Sequence, residues 1–216
     1  MSAKSTQILD EIYARLLERY GPQRWWPGDG PLEVMVGAIL VQNTAWRNAE
    51  KAIANLKRGA ALSVEGLLKL GPSELAERIR PAGYFNRKAE RLLSLLRFLM
   101  EKYQGDLERM RSESSSKLRA ELLEVKGIGP ETADAILLYA LGHPVFVVDA
   151  YTYRIFRRHA LVSEETSYEE LQEIASGGSA ELERYQEFHA LLVRVGQDYC
   201  KTREECEGCP LKGVNW

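Results

Sequence analysis

Gly127 and Gly129, followed at once by Pro130 and further on by Asp149, have the types and spacing to do chemistry. The stretch Leu122-Leu123-Glu124-Val125-Lys126-Gly127-Ile128-Gly129-Pro130-Glu131-Thr132-Ala133-Asp134-Ala135-Ile136-Leu137 reads as a helix, a tight Gly-x-Gly hairpin, and a second helix that Pro130 begins. Such a hairpin turns backbone N–H groups and a positive helix N-terminus toward one point, where a phosphate can sit. The same glycines also serve any close contact between two helices, so the hairpin alone leaves both readings open. Asp149, inside Val147-Val148-Asp149-Ala150-Tyr151, adds a carboxylate downstream. It is a good N-cap for a helix starting near Ala150. Paired with the hairpin, it is also a carboxylate that suggests gripping a nucleic-acid backbone and doing acid–base chemistry on it. The two roles are compatible, and Val147 and Val148 would keep the carboxylate in a dry setting that strengthens its field.

The elements that must position these residues are helices nearly throughout. Ile8, Ile12, Leu16 and Leu17 give a first helix an apolar stripe, and Gly21-Pro22 ends it. Leu32 to Val41 predicts a helix buried on most sides, with Asn43 and Thr44 as break and N-cap before a helix over 45–56. Shorter helices are expected at 64–70 and 73–80, parted by Gly71-Pro72 and capped by Ser73. A turn follows at 81–86, then a long helix over 88–103 whose Leu92, Leu95, Leu96 and Leu99 face a core. Ser112–Ser116 reads as a polar linker, with Ser116 a candidate cap. After Asp149 come a basic helix, a helix near 168–174, the loop Ser176-Gly177-Gly178-Ser179 and a helix over about 180–195. His143 to Val148 looks like a strand, but between helical segments it is expected to be a buried extended connector. The fold class is all-α.

Composition narrows the classes without choosing one. Hydrophobic residues make up 45% and charged residues 28%, as in a globular domain, and no apolar run approaches the ~20 residues that span a bilayer. Met1 to Thr6 leads into an amphipathic helix without a signal-peptide core, so a cytoplasmic location is the expectation. The net charge of −2 does not advertise a nucleic-acid binder, yet Arg87, Lys88 and Arg91 cluster, as do Arg154, Arg157, Arg158 and His159. Each cluster is either a solvated helix face or a phosphate-binding patch. Cys200, Cys206 and Cys209 are the only cysteines; an odd, clustered set argues against a disulfide framework and raises metal binding.

The hairpin followed by Val-Asp resembles the helix–hairpin–helix (HhH-GPD) DNA glycosylase superfamily, of endonuclease III type, over essentially the whole chain. The resemblance implies two helical subdomains flanking a DNA cleft. One is a six-helix barrel with the hairpin, residues 27–136. The other is a bundle of the N- and C-terminal helices, residues 1–26 with 137–216. It implies that Asp149 is the catalytic carboxylate and that Lys126, Gly127, Ile128, Gly129 and Glu131, with Arg154, meet DNA. The family's strand-cutting members carry a lysine nucleophile two residues after the second hairpin glycine. Glu131 stands there in this chain, and a carboxylate cannot form a Schiff base. A monofunctional glycosylase follows, which releases a base and leaves an abasic site, so AP-lyase activity is not expected.

Trp-Trp-Pro at 25–27, Gln42-Asn43-Thr44, the run Arg80-Pro81-Ala82-Gly83-Tyr84-Phe85-Asn86-Arg87-Lys88-Ala89 and Lys126-Gly127-Ile128-Gly129 are together more specific. They look like the bacterial endonuclease III-like 3-methyladenine DNA glycosylases. In those, the residue after the Gln-Asn-Thr turn and the Trp-Pro loop sandwich the base, which carries over to Trp46 and to Trp25 or Trp26 with Pro27. Gln42 matches the residue that plugs the gap left by the flipped nucleotide, and Tyr84 a wedge on the opposite strand. The plainer alternatives are core plugs for the tryptophans and turn packing for Tyr84 and Phe85. An aromatic slot suits a cationic alkylated purine through stacking and cation–π attraction, and that charge makes the base a good leaving group. Oxidised pyrimidines or mismatched bases are the enzymatic alternative, and a non-catalytic DNA-binding module is the other.

The implied partner is double-stranded DNA with a damaged base, met by a monomer that associates with the nucleoid. No cofactor is required for catalysis. The tail, Cys200-x5-Cys206-x2-Cys209, resembles the family's iron–sulfur loop, Cys-x6-Cys-x2-Cys-x5-Cys, with Asn215 at the fourth position. Two readings follow: a three-cysteine iron–sulfur cluster with another fourth ligand, or a degenerate loop. Zinc meets the same shortage of ligands.

Overall fold

The computed structural model describes residues 3–58, 62–177, 180–203 and 205–214, with side chains from Thr6 onward. In chain order the helices begin with α1 (Ala3–Tyr20), α2 (Pro31–Leu40), α3 (Trp46–Lys57), α4 (Val64–Arg78) and α5 (Phe85–Tyr103). Next are α6 (Leu107–Arg111), α7 (Ser115–Leu123) and α8 (Pro130–Ala135), which runs on into one π-helical turn, Ile136–Ala140. The series closes with α9 (Ala150–Arg158), α10 (Tyr168–Ser176) and α11 (Leu182–Asp198). No β-strand forms among the described residues, and the protein is all-α. No helix among them is long and apolar enough to cross a membrane.

The chain divides into two units: residues 27–143, and residues 1–26 with 144–216. The π-helical turn packs with α2, α7 and α8, so residues 137–143 belong with the hairpin unit rather than with the terminal helices. The continuous unit is built on α2 and α5. Pro31 starts α2, and its near-continuous apolar sequence leaves Val34 through Leu40 buried. Leu92, Leu95, Leu96 and Leu99 of α5 are fully buried on one helical face.

Local chemistry moved several boundaries. Gly71, at φ 69°, breaks α4 at the expected Gly-Pro, and Ser73 is not a cap there. Ala45, with no side-chain cap, begins α3, while Thr44 accepts from the Asn48 side chain at 3.3 Å. Ser114, two residues before Ser116, caps α7 by accepting from the Lys117 N–H. Tyr84, in the left-handed region at φ 45°, precedes α5, which starts three residues before Lys88.

In the other unit, Ile12 and Leu16 of α1 and Leu191, Leu192 and Val195 of α11 are fully buried. Gly196 lets α9 approach α11 closely, because a Cβ there would lie 2.3 Å from the Tyr151 ring. The segment before Asp149 is a buried extended connector, as its sequence suggested. α10 satisfies its backbone in place of a sheet partner: Gln172 Nε2 donates to the Phe146 carbonyl at 2.6 Å, and the Val148 N–H donates to the Tyr168 hydroxyl at 3.3 Å. The expected loop at 176–179 is described only to Gly177; Gly178 and Ser179 lie outside the described residues.

Candidate nucleic-acid interface and active site

The hairpin turns where the glycines require it. Gly127 has φ 90°, a conformation L side chains avoid, and a Cβ there would lie 2.3 Å from Arg91 Cγ. Gly129 is different: its backbone is extended, and a Cβ there would meet nothing within 4 Å. The first glycine shapes the turn, and the second leaves an open face over the start of α8. Ile128, between them, turns its side chain inward at 5% exposure, so only its backbone can serve a ligand. Arg119 and Asp134 tie α7 to α8, with Nε to Oδ1 at 2.8 Å and Nη2 to Oδ2 at 3.2 Å, and Asp134 is fully buried.

Gln42 is wired into this hairpin. Its Nε2 donates to the Thr132 hydroxyl at 2.9 Å and to the Gly127 carbonyl at 3.3 Å, and its Oε1 accepts from Arg91 Nη1. The residue expected to plug a DNA gap also braces the turn in this structure. Lys126 is exposed, with Glu90 at 3.9 Å, and a pair so open to water leaves the ammonium available to phosphate. Glu131 is exposed at the head of α8. Tyr84 is 69% exposed, while Phe85 packs under the Arg80 guanidinium at 5.0 Å from its ring centre, so turn packing falls to Phe85 alone.

The basic cluster at 87–91 comes apart. Arg87 is exposed and Arg91 holds Gln42, but Lys88 is 2% exposed and donates to the carbonyls of Leu40 and Ala82, each at 2.8 Å. Burial pushes its ammonium down to about 8, with Arg91 adding to the effect.

In the other unit, Asp149 caps α9. Its Oδ1 accepts from the Thr152 N–H at 2.7 Å and from the Thr152 hydroxyl at 2.8 Å, and the residue is 9% exposed. Oδ2 lies 3.9 Å from Nε2 of the buried His189. Sequence reasoning found neither partner; an Asp-x-x-Thr cap pattern could have flagged Thr152, whereas nothing marks His189 apart from other core positions of α11. The Trp25 and Trp26 rings lie 5.2 Å apart at 49°, and both are half-buried, as is Trp46; Pro27 is exposed. None of the three tryptophans is a fully buried plug. Trp25, Trp26 and Asp149 fall in one unit, and Pro27, Trp46 and the hairpin in the other.

Arg154 is half-buried on the basic helix. Its Nη1 donates to the Cys200 carbonyl at 2.8 Å and its guanidinium sits 5.5 Å from the Tyr151 ring centre. Arg158 donates to the carbonyls of Lys201 at 2.7 Å and Thr202 at 2.9 Å and to Cys200 Sγ at 3.2 Å, while Arg157 pairs with Glu164. The basic helix holds the tail. The three cysteines line one cavity of about 160 Å³ with Tyr199 and His159. Cys206 is exposed, burial pushes the Cys209 thiol up, and no His, Cys, Asp or Glu set among the described residues can hold a metal ion. Asn215, at the fourth position of the loop, lies outside the described residues.

A hairpin braced for close approach, and a buried carboxylate after an apolar connector, are the marks of enzymes that excise bases. The chain belongs to the HhH-GPD superfamily of base excision DNA repair proteins, which it matches over residues 36–179. It is a DNA glycosylase of that type, acting on DNA. A protein of Methanocaldococcus jannaschii, named provisionally as a DNA repair glycosylase, is 44% identical over 215 residues, 98% of this chain and 97% of the relative. Endonuclease III of Thermotoga maritima is 30% identical over 206 residues, 95% and 91% of the two chains. Among solved structures, the H. pylori 3-methyladenine DNA glycosylase MagIII bound to 1,N6-ethenoadenine aligns with a TM-score of 0.78 and 31% identity. That alignment covers 90% of this chain and 97% of the other.

Proposed function

We propose that the chain is a monofunctional glycosylase that releases alkylated adenine, 3-methyladenine first, without cutting the strand. The observation that carries this reading is the pairing of Asp149, held by Thr152, with Glu131 at the place of the strand-cutting lysine. In the proposed reaction the N-glycosidic bond breaks as the sugar takes on positive charge, which the Asp149 carboxylate stabilises. Water adds to the sugar carbon and gives up its proton to Asp149 or solvent. The alkylated base leaves neutral because it began as a cation, so no acid is needed to protonate it. Trp25, Trp26, Pro27 and Trp46 are assigned to reading the base, and the hairpin, Lys126, Gln42 and Tyr84 to the DNA. The likeness to an enzyme named for 3-methyladenine supports the substrate.

The Thermotoga relative favours a second reading, endonuclease III-type action on other bases. Duplexes carrying 3-methyladenine, 7-methylguanine, thymine glycol or mismatches, tested for base release with and without borohydride, separate the two. Release of 3-methyladenine with no trapped complex is expected. A borohydride-trapped enzyme overturns the monofunctional reading, and thymine glycol release without methyladenine release overturns the substrate. We assign the active form to a monomer, which size-exclusion chromatography with light scattering tests.

A further inference from the structure

The carboxylate assigned to catalysis is not alone. Its Oδ1 is committed twice to Thr152, and two donors on one oxygen fix the plane of the group. Oδ2 is therefore the oxygen that can meet a reacting sugar. His189 brings Nε2 to 3.9 Å from it, and both residues are buried. That separation exceeds a hydrogen bond, so the two groups act on each other through charge and dipole. Away from water such an interaction is strong.

Burial pushes the His189 imidazole below its ordinary value, with Asp149 opposing, so the ring is neutral at neutral pH. Several charged groups on α11 and on the helices packed against it, α1 and α9, have partners of their own. Asp10 pairs with Arg184, Glu187 accepts from the Gln23 N–H, Arg194 pairs with Asp198, and Arg154 donates to Cys200. Asp149 is the charge acting on His189.

We propose that His189 is a positioning residue for Asp149, its buried imidazole 3.9 Å from Oδ2 setting the electrostatic field in which that oxygen meets the reacting sugar. This rests on the glycosylase reading of Asp149. Protonation turns the ring into an ion-pair partner that competes with the oxocarbenium for one carboxylate, so base release falls as pH drops through the His189 titration.

The test is single-turnover release from a 3-methyladenine duplex from neutral pH down to the acid limit of the folded protein, with duplex affinity and thermal stability measured in parallel. His189→Leu is expected to slow release about tenfold or more at unchanged affinity and to lose the acid limb. His189→Gln, which keeps a dipole beside Oδ2 but cannot titrate, is expected to recover most of the rate but not the limb. A His189→Leu rate within about twofold of wild type overturns the proposal. So does an equal slowing of both variants that tracks lost stability and keeps the limb. Nitrogen NMR of the imidazole needs no substrate and separates this proposal from the glycosylase reading. Asp149→Asn is expected to move the His189 titration to lower pH even if no lesion is released. An unmoved titration overturns the proposal even if that exchange abolishes release.

Discussion

Thr152 donates twice to one carboxylate oxygen, so its hydroxyl and its backbone can be tested apart. Thr152→Val keeps the N–H bond and the side-chain shape but removes the hydroxyl donor. It is expected to cost about 1 kcal/mol in urea unfolding and to slow base release, with Thr152→Ser close to wild type on both. Lys88 offers a pH test. Its folded value of about 8 lies below its ordinary 10.5, so between those values the unfolded chain binds more protons and stability rises with pH. The burial penalty is complete below about 8 and relieved above it, and a neutral amine still has two N–H groups for two carbonyls. Urea midpoints of wild type should therefore rise relative to Lys88→Met as pH increases across that window. A flat difference would sink the assignment. The fate of Lys88 was legible after all: it shares a helical face with Leu92, Leu95 and Leu96, and its neighbours in sequence concealed this.

At the scale of an element, the hairpin was readable from Gly127, Gly129 and Pro130 because those residue types have few other uses in that order. Its bracing was not, since Gln42 reaches it from the turn after α2 and Arg91 from α5, both distant in sequence. The two glycines now separate. Gly127→Ala forces a Cβ onto Arg91 at a positive φ and is expected to lose about 1–3 kcal/mol in thermal unfolding. Gly129→Ala meets open space, so it is expected to keep its stability yet bind duplex DNA more weakly, because the added methyl occupies the face a phosphate would approach. Equal stability losses in the two variants would contradict this geometry. Between α7 and α8, Arg119→Met removes the guanidinium paired with the buried Asp134 and is expected to cost about 3–5 kcal/mol, with Asp134→Asn in the same background recovering part of it.

Over the whole molecule, the apolar stripes of α1, α2 and α5 made the all-α class legible, while the fate of the basic helix and tail depended on contacts no pattern in the sequence announces. Arg154 and Arg158 could have faced phosphate as easily as carbonyl groups until the chain returned past them. The tail is tied by Arg154 to Cys200, by Arg158 to Lys201 and Thr202, by His159 to Val214 at 2.6 Å and by Arg15 to Lys212 at 3.3 Å. These bonds hold its backbone directly, whatever the state of the three thiols that line the cavity beside them. Two ways of fastening the tail then predict opposite orders of damage. If arginine holds it, Arg158→Met lowers stability by about 1–2 kcal/mol and exposes the tail to protease, while Cys206→Ser and iron or zinc chelators change neither melting nor base release. If thiolates hold a metal, chelation and Cys206→Ser do the greater harm and an absorption band near about 400 nm disappears with them. Melting curves for the two variants, with and without chelator, decide between the orders, and the carbonyl-directed geometry of Arg158 puts the larger loss with arginine.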